Sequence, residues 1–221
     1  MPVMKRQKIR FTSVLLLIVL LLAIYSLAHG QRKNYYTYSE ALDQVAVVVD
    51  GRNLTLADLA FYVVYEEQAV EEDAFIYNPE NTGEYWNIHT NGTFVRTAAK
   101  ETAMNMAIHD EIFYQLAMQE GIALDEKETA YMENTRMDFW SDTGEEAIEK
   151  LGVKKDVLNA SMEKIALAQK YQSLLAEMND ADFEEYSFNG SAYEKMQEEH
   201  ECEIKEGVWE RVHFGSVTVA H

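Results

Sequence analysis

Val45, Val47 and Val49 repeat at a spacing of two, Asp50-Gly51 follows, and the apolar period then changes to that of a helix at Leu56, Leu59, Ala60 and Val63. β-branched residues at that first spacing suit a partly buried strand. Glycine after aspartate suits a tight turn, because it accepts positive φ at no steric cost. Thr55, with Asp58 three residues on, predicts a capped helix start. Residues 45–65 therefore read as strand, turn and helix.

Further helices follow from the same pattern. One over about residues 94–120 carries Val95, Ala99, Ala103, Met106, Phe113 and Ala117 on one side and Ala98, Ile108, Ile112 and Leu116 on a second, and stops before Gly121. Apolar residues on more than one face predict a central helix. Asp125 and Glu128 form a second capping pair for a helix reaching about residue 140. A loop over residues 141–144 leads to a short helix ending near residues 151–153. The next helix, residues 155–178, carries Leu158, Met162, Ile165, Ala168, Tyr171 and Leu175 at steps of three and four. The tail reads as a helix near residues 191–200, a strand near 202–204 and a second β-prone stretch over 208–212 that includes Trp209. A returning strand is expected to pair with residues 45–49, whose backbone groups otherwise go unpaired.

The order of these segments resembles a known family. "AMQEGIALDEKE" looks like a long helix ending in A-x-x-x-G-I before a capped helix, and "LGVKKDVLNASMEKIALAQKYQSLL" looks like the helix that follows. With the strand, turn and helix at the start, they resemble the N-terminal chaperone domain of the extracytoplasmic SurA/PrsA-type foldases over roughly residues 45–178. The resemblance implies a mainly α fold with a small β element, whose N-terminal strand pairs with C-terminal strand. It also implies binding of unfolded or exported polypeptides. In these foldases a parvulin-type isomerase domain usually comes next. Here only residues 179–199 separate the last long helix from the tail, whereas a domain needs about 50 residues to build a core. The chain looks like a parvulin-less member, and no enzyme activity is expected of it.

Charge places the chain in a compartment. Residues 1–33 hold six basic side chains and no acidic ones, beside an apolar run over residues 11–28. Residues 1–28 read as a signal peptide or a single membrane anchor, followed by a polar spacer over 29–44 and the domain over 45–221. The basic flank is N-terminal, so both readings put the domain outside the cytoplasm, secreted or attached to the membrane through residues 11–28. Beyond residue 33 there are 13 basic and 38 acidic side chains, a formal charge of −25. Such a body repels phosphate, so no nucleic-acid partner is expected. Cys202 is the only cysteine, which leaves no internal disulfide and no cysteine near the apolar run for a lipid anchor.

No catalytic, metal or cofactor site is expected. His109, Asp110 and Glu111 are adjacent on a helix, where side chains one residue apart do not face each other. His200-Glu201-Cys202 lacks the second histidine of a zinc helix, and Glu185 stands where a calcium loop starting at Asp180 needs glycine. The most promising surface is residues 71–93, where Pro79, Gly83 and Gly92 interrupt Phe75, Tyr77, Tyr85, Trp86 and His89. These five residues are the candidate peptide contacts, and the other reading of the segment is a lid folded back on the core. An alternative function is a dedicated interaction or assembly protein that holds one folded partner at the cell surface.

Overall fold

Val47 lies at the centre of a sheet built from both ends of the chain. In the computed structural model, which describes residues 35–219, β1 (Val45–Val49) is the middle strand of a three-stranded antiparallel sheet ordered β2-β1-β5. β2 (Arg52–Thr55) returns from the Asp50-Gly51 turn, where φ is 49° and 78°, and pairs Arg52 with Val49. Positive φ at both turn residues is the hairpin geometry that matches strand twist. On the other edge, β5 (Cys202–Ile204) pairs Ile204 with Val47 and Cys202 with Val49. A register shift between Val45 and Val47 lets the successive residues Ala46 and Val47 both be buried, so the strand is covered on two faces.

α1 (Leu56–Tyr77) begins at the expected capping box between Thr55 and Asp58. It runs through residues 71–77, which the sequence assigns to a connection. Glu71 and Glu72 are good helix formers and continue it. A 3-10 helix (Thr82–Asn87) and the small hairpin β3 (His89–Thr90) and β4 (Thr93–Phe94) complete that connection. α2 (Val95–Gln119) is central, packed by α1 on one side and by α5 (Lys155–Met178) on another. Between them come α3 (Glu126–Asp142), with the capping box of Asp125 and Glu128, and α4 (Glu145–Leu151). A 3-10 helix (Phe183–Tyr186) and α6 (Ser191–Gln197) precede β5, and α7 (Glu206–Trp209) follows it. The architecture is mainly helical with a small antiparallel sheet.

Two further expectations change. Residues 208–212 are not a strand: α7 and a turn carry them, and Trp209, Val212 and Phe214 fill the core. Both edges of β1 are already taken by β2 and β5, so a further strand would have no ladder to join. The polar spacer over residues 29–44 is, from Tyr36 onward, part of the folded unit. Tyr38 is buried and its hydroxyl donates to the Leu56 carbonyl at 2.5 Å, while the Tyr36 amide donates to the Arg211 carbonyl at 2.9 Å. The signal or anchor reading of residues 1–28 lies outside the described residues. Among the described residues no helix is long and apolar enough to cross a membrane.

Candidate functional site

α3 stands away from the core and leaves a groove of about 980 Å³ beside it. Polar contacts fasten α3 to α5 near both ends. Lys170 binds the Glu128 carboxylate at 2.6 Å and the Ala123 carbonyl at 2.9 Å. The Trp140 indole donates to the Asn159 side chain at 2.9 Å. α3 turns one face to the groove, presenting Glu128, Tyr131, Met132, Thr135, Asp138, Phe139 and Asp142. Steps of three and four residues put these side chains in one stripe. The opposite wall includes Met162 and Ile165 of α5, and α1 adds Phe61, Tyr62 and Tyr65. Phe61 bridges the two sides, with ring centroids 5.3 Å from Phe139 and 6.0 Å from Tyr65. Phe183 and Phe188 close one end.

A polar chain runs beneath this apolar lining. The Tyr62 hydroxyl donates to Asp110 Oδ2 at 3.0 Å, and Asp110 Oδ1 lies 2.8 Å from His109 Nδ1. His109 Nε2 then meets the Tyr186 carbonyl at 2.9 Å. The neighbours His109 and Asp110 therefore do face each other, contrary to the helical expectation. The imidazole lies against Phe113 and Tyr193, with centroids at 4.6 and 4.7 Å, and this packing turns its Nδ1 edge to the next carboxylate. Its two ring nitrogens thus face the Asp110 carboxylate and the Tyr186 carbonyl. Burial, followed by the Asp110 charge and its hydrogen bond, pushes the Tyr62 phenol well above its ordinary range. Tyr62 is thus a fixed donor. Glu111, fully buried, meets Lys164 and Arg52 and accepts from Gln115 at 2.9 Å, so the third acid of the run acts as an ion-pair hub.

The five candidate contacts separate. Phe75 and Tyr77 are exposed at the end of α1, His89 is exposed on the small hairpin, and Tyr85 is half-buried with its ring 5.6 Å from Tyr77. Trp86 leaves the surface entirely: it is fully buried and its indole donates to Glu71 at 2.9 Å. An indole enclosed on all sides with its one donor satisfied has nothing to offer a peptide. None of the five lines the groove. Of the residues that do, Tyr131 and Phe139 of α3 went unmarked in the sequence. Their signal was the apolar residues of α3 at steps of three and four inside an otherwise polar helix.

Comparison of the chain with protein-family models, with curated proteins and with solved structures finds no match.

Proposed function

We propose that this chain is a non-catalytic, chaperone-like module that binds unfolded or exported polypeptide segments in the groove beside α3. The observation that carries this reading is the groove itself: about 980 Å³, lined by aromatic and methionine side chains, with Tyr65 and Tyr131 more than half exposed. Sites that take ligands are concave and mostly apolar, and adaptable methionines suit varied occupants. The resemblance to a parvulin-less SurA/PrsA-type chaperone domain supports it. The basic and apolar character of residues 1–28 supports a position outside the cytoplasm, membrane-attached or secreted.

The test is binding of a fluorescent unfolded polypeptide to the protein and to Tyr65→Ser/Tyr131→Ser. Both tyrosines are exposed, so the variant is expected to keep its melting temperature and to bind at least about tenfold more weakly. Unchanged affinity in a folded variant overturns the reading. A second reading, a dedicated partner for one folded protein, draws on Phe75, Ile76 and Tyr77, which are 63%, 81% and 59% exposed at the end of α1. Crosslinking in intact cells separates the two: many captured chains support the first, one stoichiometric partner the second.

A further inference from the structure

We infer that the segments taken by this groove are apolar stretches flanked by lysine or arginine, with the basic flank lying at the C-terminal end of α3. This rests on the reading of the groove as a polypeptide site.

The lining holds five carboxylates and two lysines, and most of these charges are already committed. Asp110 is bonded to Tyr62 and His109, Asp125 caps α3, and Glu128 is paired with Lys170. What remains is Asp138 and Asp142, one turn apart on the groove face, and neither is held in an ion pair among the described residues. Arg136 and Lys155, the cations beside this end of α3, are engaged by Glu133 at 2.8 Å and by the Trp140 ring at 4.7 Å. The last turn of α3 contains no basic residue. It therefore adds the negative end of the helix dipole to the two carboxylates, offset only in part by Lys155, whose charge the Trp140 ring does not neutralise. Lys127 lies about 16–22 Å away along the helix, beyond a Debye length in physiological salt.

An apolar side chain packing onto Phe61, Phe139 and Ile165 thus has a patch of negative potential beside it at one end only. A lysine or arginine adjoining an apolar stretch meets that patch without having to desolvate fully, because both carboxylates remain at the rim. The −25 charge beyond residue 33 works in the same direction, drawing basic segments in and slowing acidic ones.

The experiment uses the full-length protein in detergent micelles and three fluorescent peptides that share one apolar core, flanked by Lys-Lys, Ser-Ser or Asp-Asp. The Lys-flanked peptide is expected to bind about tenfold more tightly than the Ser-flanked one, with the Asp-flanked one weakest. That advantage is expected to shrink to within about twofold in Asp138→Asn/Asp142→Asn and in concentrated salt. Equal binding of all three peptides overturns the charge preference while leaving the groove as a polypeptide site. Binding of none overturns the site as well. A Lys preference that survives in the double variant overturns the assignment to this end of α3.

Discussion

The Glu67 carboxylate, fully buried on α1, accepts the Thr218 amide at 2.6 Å across 151 positions of sequence. Its Oε2 also takes the Thr218 hydroxyl at 2.5 Å, and its Oε1 takes the amides of Gly215, Ser216 and Val217 at 2.6, 3.2 and 3.1 Å. Four successive backbone donors converging on one carboxylate form an anion nest, with the anion supplied by the protein itself. Gly215 makes the approach possible. Its φ is +79°, and a Cβ there would lie 2.5 Å from the Trp86 ring.

Glu67→Gln is expected to destabilise the domain by at least about 3 kcal/mol, because the amide turns an NH2 toward donors on one side whichever way it is placed. Thermal melting checks this, and an unchanged midpoint would show that the nest contributes little.

Trp209→Ala is expected to cost about 3–5 kcal/mol. The indole is buried, packs edge-on to Phe214 at 5.6 Å and lies under the Lys100 ammonium at 5.7 Å. Denaturant unfolding of this variant, and of a chain lacking residues 201–221, should show both weakened. A dispensable tail would leave their midpoints with the parent.

Burial pushes the Glu66 carboxyl from its ordinary 4.5 up to about 7. Between those values the folded state holds a proton that the unfolded state has released. Stability therefore falls as pH rises through this window, and the loss is complete above about 7. Glu66→Gln is expected to raise stability at pH 8 by about 1–2 kcal/mol, allowing for partial exposure, and to leave it unchanged near pH 4. Melting curves at the two pH values decide it.

His109→Leu removes the link between Asp110 and the Tyr186 carbonyl. Faster amide hydrogen exchange is expected over residues 183–188, with a loss of about 2–4 kcal/mol as the buried Asp110 keeps only its bond from Tyr62. Unchanged exchange would mean that the bond from Gln172 to the Phe183 carbonyl, at 3.0 Å, holds the segment alone.

A proline-peptide isomerisation assay is expected to run at its uncatalysed rate, since residues 179–199 provide too little chain for an isomerase domain. Acceleration that copurifies with the protein would contradict the non-catalytic proposal.

Local features were legible in the sequence because both partners lie within one turn. Thr55 with Asp58, Asp125 with Glu128, and the glycine after α2 each declare a helix end without help from the rest of the fold. The pairing of β1 with β5 was legible for another reason: a buried valine run needs a ladder, and few other segments could provide one. The groove was hidden because α1, α2, α3, α5 and residues 183–188 each contribute only part of its wall. The nest around Glu67 was hidden more completely. Its donors are backbone amides, which any non-proline residue supplies, so side-chain identity barely marks it. Tyr38 was misplaced, and Trp86 follows the reading of a segment folded back on the core and not that of a peptide contact, because an aromatic residue in a polar stretch looks alike whether it faces water or folds inward.

A strand whose two neighbours come from opposite ends of the chain also sets a timetable. As the polypeptide emerges N-terminus first, β1, α1 and α2 are present long before Ile204 reaches Val47 or Thr218 reaches Glu67. Until then β1 has an open edge, and the Glu67 carboxylate cannot be enclosed without a heavy desolvation penalty. The domain can finish folding only when residues 202–218 have arrived. A product cut short by stalling or clipping would keep that unpaired edge, which marks it for proteolysis or for adhesion to other chains.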